Sequence, residues 1–201
     1  TANVISVNPK FPAKDFKGFV EELKKNPGKY SYGSSGTCSV LHLFGEAFRI
    51  ATGTDIVHVP YKGSGPALAD AVAGQVEILF DNLPSSMPQI LNGKLRPMAI
   101  AWNQRIDSIK DVPTLAELGH ADLTEVVWMG LWAAPDVPAP VQTRLREATL
   151  RVLQQPKVRE LFASLGLDAG AGASADELQR SLRVSFEKQG ATLKAVGFKP
   201  E

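Results

Sequence analysis

Residues 29–49 read KYSYGSSGTCSVLHLFGEAFR. The run opens as a short β-prone segment over residues 29–32 and breaks at Gly33. It passes through Ser34, Ser35, Gly36, Thr37, Cys38 and Ser39 before apolar residues return at helical spacing. Val40, Leu41, Phe44, Ala47 and Phe48 then fall on one side of a helix. A strand, a Gly/Ser/Thr loop and a helix in that order leave backbone N–H groups pointing outward, with the positive end of the helix dipole behind them. That arrangement suits a phosphate or a carboxylate. The hydroxyls of Ser34, Ser35, Thr37 and Ser39 can donate further hydrogen bonds. The alternative is a polar turn in which Ser or Thr only caps the helix.

Working outward, 201 residues suffice for one large domain or two small ones with a real core. Lys plus Arg number 22 against 21 Asp plus Glu, with no basic stripe or acidic tail, so nothing asks for nucleic acid or a membrane surface. A single cysteine makes no internal disulfide and does not reveal the compartment. The longest apolar run, residues 126–135, is interrupted by Gly130 and is far short of the ~20 residues a membrane helix needs. The opening TANVISVNP begins in a β-prone run with no lead-in and no visible signal peptide, so a further segment upstream is expected.

In chain order, residues 3–7 read as a strand stopped by Asn8-Pro9, and Ala13-Lys14-Asp15 opens a helix with Phe16, Phe19, Val20 and Leu23 as its stripe. Asn26-Pro27-Gly28 ends that helix. Strands are expected over 55–59, 76–80 and 96–101, and short helices over 66–73 and 85–91. The turns at 33–39, 61–65 and 81–85 are rich in Gly, Ser, Pro and Asn. In open α/β sheets ligands bind at the carboxyl ends of strands, so these three turns are expected to converge on one pocket. Residues 124–134 form an extended, aromatic-rich run. Beyond it the chain turns helical: 138–154 with Val141, Leu145, Ala148, Val152 and Leu153 as the buried face, then 158–165 ended by Gly166. Ser174 and Glu177 form a capping box for a last helix. This tail needs a sheet that its own neighbours do not supply.

Cys38 and His42 stand four apart at a helix start, where a thiol pKa can fall, so Cys–His nucleophilic catalysis is one reading; no third orienting residue accompanies the pair. The bland reading is a half-buried thiol and a histidine covering a helix side. His42, His58 and His120 are scattered, and no Cys or His pair has zinc-ligand spacing. The Lys of a phosphate-binding Walker loop and the G-x-S-x-G hydrolase elbow are both absent. Neither metal nor cofactor is implied. Asp81, directly after an apolar strand, can accept hydrogen bonds from a ligand amine or hydroxyl, or it can cap the next helix. Tyr61 and Lys62 offer a wall and a charge, while Trp128 and Trp132 read as core or interdomain packing.

Five motifs occur in order: YGSSGTCSVLHL, VPYKGSGPA, FDNLPSS, DVPTLAELG and the run WMGLWAAP. Together they resemble the Bug-type solute receptors, the extracytoplasmic binding proteins of tripartite tricarboxylate transporters, across essentially the whole chain. The resemblance implies a type II, two-lobed α/β fold of the periplasmic-binding-protein kind, a Venus flytrap that closes on a small carboxylate without catalysis. The ligand class would be a di- or tricarboxylate, an acidic amino acid or an aromatic acid, and the partners membrane transporter subunits. Family members carry a further N-terminal region, so one lobe is expected complete and the other partial. Residues 1–127 would hold a crossover strand and the second lobe, and 128–201 the mostly helical part of the first. Helices left bare by a partial lobe predict association of two chains. The lobes would move about strands near residues 3–8 and 124–132. Carried over by position, the carboxylate-facing loop corresponds to Ser34, Ser35, Gly36, Thr37, Cys38 and Ser39, with Cys38 standing where the family usually has a glycine or another small residue. Tyr61, Lys62 and Gly63 correspond to a cleft-lining turn, and Asp81 to the position that meets a ligand's far polar group. The rival readings are the ligand-sensing domain of a transcription regulator, which resembles the same two-lobed fold, and a Cys38-dependent enzyme.

Overall fold

A computed structural model of the chain describes residues 1–124, 127–169, 174–195 and 197. The strands β1 (Asn3–Val7), β2 (Ser31–Ser34), β3 (Val57–Pro60), β4 (Ile78–Asn82) and β5 (Arg96–Ala101) form one sheet in the order β3-β2-β4-β1-β5. β2 runs parallel to β3 and to β4, whereas β1 is antiparallel to both β4 and β5. The carboxyl ends of β2, β3, β4 and β5 therefore lie on one edge, together with the start of β1. α1 (Phe16–Lys25) and α2 (Val40–Thr52) cover one face; α3 (Ser64–Ala73) and α4 (Leu83–Leu91) contribute the cluster on the other. Strands buried on both faces read as continuous apolar runs, as residues 78–80 do in β4, whereas β3, whose sequence also reads as a buried-type strand, is a partly exposed edge.

Period-2 alternation divides the core. Ile5, Val7, Tyr32, Ile78 and Phe80 meet Phe16, Phe19, Phe44 and Phe48, while Val4, Leu79 and Ile100 meet Ala67, Ala71, Leu83 and Met87. Asp15 caps α1 by accepting from the Gly18 N–H, as the sequence predicts. Gly45, in the middle of α2, is set by packing: a Cβ there would lie 2.5 Å from Tyr32 Cε2. The glycine lets the Tyr32 ring lie against the helix backbone and its hydroxyl donate to Glu46 at 2.8 Å.

Several boundaries shift from the sequence reading. β4 runs through Asp81 and Asn82 because pairing with β1 extends to Asn3↔Asn82, a tertiary contact that overrides their poor strand propensity. α3 begins at Ser64, with Pro66 in its first turn, where the missing N–H has no helical partner to lose. α4 begins at Leu83 and carries Pro88 inside it.

The tail differs more. α5 (Ala139–Leu153) and α6 (Pro156–Ser164) form as expected and bury none of their residues; Val141, Leu145 and Val152 of the anticipated buried face are exposed. Amphipathic spacing says which face wants a partner and is silent on whether one is present. Residues 127–134 form no strand, and Glu125 and Val126 lie outside the described residues. Thr1 pairs with this run, exchanging hydrogen bonds with Val127 at 2.7 and 3.3 Å. Trp132 is consequently exposed and meets Trp128 edge-on at 6.0 Å, so it is not core. α7 (Ala175–Ala195) follows the Ser174–Glu177 capping box and lies against α2. Gly166, at φ +72°, touches the sheet domain, where a Cβ would fall 2.6 Å from Leu83 Cδ2.

Candidate functional site

The loop between β2 and α2 is built from its own polar groups. Ser39 caps α2 by accepting from the His42 N–H at 3.2 Å, and its own N–H donates to the Gly36 carbonyl at 3.1 Å. Gly36 takes φ +132°, and a Cβ there would press within 3.1 Å of the Tyr61 carbonyl. Cys38 takes φ +60°, and it is the one non-glycine residue with positive φ among those described. A left-handed conformation costs an ordinary L-residue about 1–2 kcal/mol, which explains why a small residue is natural there. The Cys38 N–H donates to His42 Nδ1 at 3.0 Å, a bond that helps hold the conformation. Among the described residues, the amides of Ser35, Thr37, Val40 and Leu41 have no protein acceptor. Four unspent donors at the head of a 13-residue helix make a cradle for negative charge.

Beneath the cradle, Ser34 is fully buried, and its hydroxyl lies 2.7 Å from His58 Nε2 while also accepting from the Gly36 N–H at 3.2 Å. His58 stacks on His42 with ring centroids 3.9 Å apart, planes 16° apart, and on Tyr32 at 4.9 Å. Burial depresses both imidazoles, His58 to about 4, against the attraction of Glu46. The pair is neutral at pH 7.

The second turn is bonded directly to the first. Tyr61 N–H donates to the Ser34 carbonyl and Gly63 N–H to the Ser35 carbonyl, both at 3.2 Å. The Tyr61 hydroxyl donates to Asp70 at 2.8 Å, so the ring is a fixed wall against Gly33, and Lys62 is exposed. The third turn joins through Asp81, whose Oδ2 accepts from Ser86 Oγ at 2.7 Å. Burial pushes its carboxyl up, against the hydroxyls of Ser86, Ser85 and Ser64, and Ser64 begins α3 at the end of the second turn. Oδ1 has no hydrogen-bond partner among the described residues. The three turns thus come to one edge of the sheet, with Ser35, Gly36, Thr37, Cys38, Ser39, Tyr61, Lys62 and Gly63 reachable from solvent and Ser34 and Asp81 below them.

Chemically, the arrangement offers an anion backbone donors and the positive end of a helix. His42 Nδ1 is occupied by the Cys38 amide, and no group of three His, Cys, Asp or Glu side chains among the described residues could hold a metal. His58 is not among the contacts the family resemblance implies. Its signal lay in strand pairing: once β2 and β3 pair in parallel with Tyr32 opposite His58, the histidine shares a face with Ser34.

Residues 1–198 match the family described as "Tripartite tricarboxylate transporter family receptor". The chain belongs to that family. Among curated relatives, BugT of Bordetella pertussis is 33% identical over 198 residues, covering 95% of this chain and 60% of the relative. A solved "periplasmic transporter" is 59% identical, with a TM-score of 0.89 over 98% of this chain and 64% of its own. A Rhodopseudomonas palustris protein solved with adipate is 29% identical, with a TM-score of 0.92 over 100% of this chain and 67% of its own. The Bug-type resemblance and the periplasmic-binding-protein fold stand, and this receptor chain spans three fifths to two thirds of the length of these proteins. The family is one of solute receptors, a non-enzymatic class.

Proposed function

We propose that this receptor captures a small organic carboxylate between two lobes, in the periplasm, and presents it to a tripartite tricarboxylate transporter. Residues 1–127 supply a ligand lobe with its crossover strand, and 128–201 the helical part of the other lobe. Ser35, Gly36, Thr37, Cys38 and Ser39 take one carboxylate, with Ser34 supporting the loop from beneath. Tyr61, Lys62 and Gly63 line the cleft, and Asp81 addresses the far polar group. The observation that carries this reading is the adipate-bound relative, which shares the fold over the entire chain at 29% identity. Neutral donors and a helix end hold an anion without a bidentate arginine, and such a site releases its ligand readily to a transporter.

Calorimetric titration of the protein with adipate, malate and glutamate tests it. At least one should bind, and Thr37→Ala should weaken it by about 0.5–1.5 kcal/mol, one hydrogen bond's worth. No binding by any short-chain di- or tricarboxylate, or an unchanged affinity in the variant, defeats the assignment.

A further inference from the structure

His42 and His58 take no part in the ligand contacts proposed above, yet they tie the anion loop at both ends. His42 sits in the first turn of α2 and its Nδ1 receives the Cys38 N–H at 3.0 Å, the residue at φ +60°. His58 sits on the edge strand β3 and its Nε2 meets Ser34 Oγ at 2.7 Å, the same oxygen that receives the Gly36 N–H. The two rings stack face to face at 3.9 Å. The result is one continuous connection from the Cys38 amide through both rings to Ser34 and back to the Gly36 amide.

We infer that the stacked His42–His58 pair is the positioning element that holds residues 34–38 in the shape that takes the ligand's anionic group, and that it does so as a neutral pair. This rests on the proposed carboxylate reading of the loop. The chemistry is specific to the neutral state. Nδ1 of His42 accepts a hydrogen bond from an amide only while it carries no proton itself, and two charged rings at this separation repel. The groups facing the pair are Glu46 on α2, which attracts a proton to both rings, the Tyr32 ring and Ser34 on β2, and the exposed Cys38. Burial outweighs Glu46 and keeps both imidazoles uncharged near neutrality. Protonating either ring in acid should release the Cys38 amide and the loop with it, so affinity should fall as pH drops. A histidine acting as a direct cationic contact would behave oppositely.

The test combines two readouts on the full chain, with adipate as probe. Amide hydrogen exchange at Cys38 and Gly36, without ligand, reports the loop; calorimetry at a series of pH values reports binding. His42→Ala should speed Cys38 exchange and weaken adipate binding by about tenfold, the loss of roughly one hydrogen bond. His42→Asn, which returns an acceptor near the Nδ1 position, should recover most of both, and His58→Gln should retain Gly36 protection that His58→Ala loses. The acid-side fall in wild-type affinity should flatten in His42→Asn. Exchange unmoved by His42→Ala, no recovery in His42→Asn, or wild-type affinity rising in acid relative to His42→Asn overturns the inference. Failure of wild-type protein to bind any carboxylate refutes the proposed function instead, and the exchange pattern still decides whether the pair positions the loop.

Discussion

Replacing Gly45 by alanine opposes two effects of known sign. Alanine is the better helix former, so an exposed interior site would gain about 1 kcal/mol. At Gly45 the added Cβ would lie 2.5 Å from Tyr32 Cε2, 2.8 Å from Cζ and 3.1 Å from the hydroxyl. Tyr32 is fully buried between Phe80 and His58 and has no free direction in which to withdraw. Overpacking of this kind costs about 1–3 kcal/mol. If the ring moves far enough to lose its 2.8 Å bond to Glu46, a buried hydrogen bond to a carboxylate adds about 1.5–3 kcal/mol. The clash therefore wins. Net of the helix gain, destabilisation should be about 0–2 kcal/mol if that bond survives and about 1.5–5 kcal/mol if it is lost, and each kcal/mol lowers Tm by roughly 2–4 °C in a chain of this size. Urea unfolding followed by circular dichroism measures it, with an unchanged m-value expected. In a Tyr32→Leu background, which removes the ring, the same alanine should be neutral or stabilising. A Gly45→Ala protein that melts higher than the parent, or that destabilises equally without the ring, would refute the packing argument.

Asp81→Asn tests the buried carboxyl. Because folding raises the Asp81 pKa, the native state favours its protonated form, and stability is lost as pH rises through the folded value. The amide variant should melt no lower than the parent near pH 7, and its relative advantage should grow in thermal scans as pH rises above the ordinary carboxylate range; a steady deficit would contradict this sign. Asn8→Ala removes a side chain that donates to the Ala71 and Val72 carbonyls at 2.9 and 3.2 Å and accepts from the Lys10 N–H at 3.0 Å. Loss of these buried bonds at the end of α3 should cost about 1–3 kcal/mol in denaturant unfolding, with a loss under about 0.5 kcal/mol counting against the network.

The sequence by itself determined the local elements wherever one residue type has one cheap place to go. Asp15 and Ser39 cap helices, Gly53 closes α2 in the left-handed conformation, and alternating apolar residues send β1 and β4 to both faces of a covered sheet. The Ser/Gly/Thr loop before α2 was legible for the same reason, since small donors at a helix start have few structural purposes. Tertiary structure alone decided the order of strands, and with it which turns meet: β1 lies antiparallel between β4 and β5, and Ser34 reaches His58 only because β2 and β3 pair in parallel. It also reversed the meaning of the tail. The apolar stripe of α5 is legible in the sequence, but burial depends on a partner surface, and no residue of α5 finds enough of one among the described residues to be buried. Propensity and periodicity act within a few turns of chain, whereas burial and pairing depend on residues far apart in sequence, and these assembled the site.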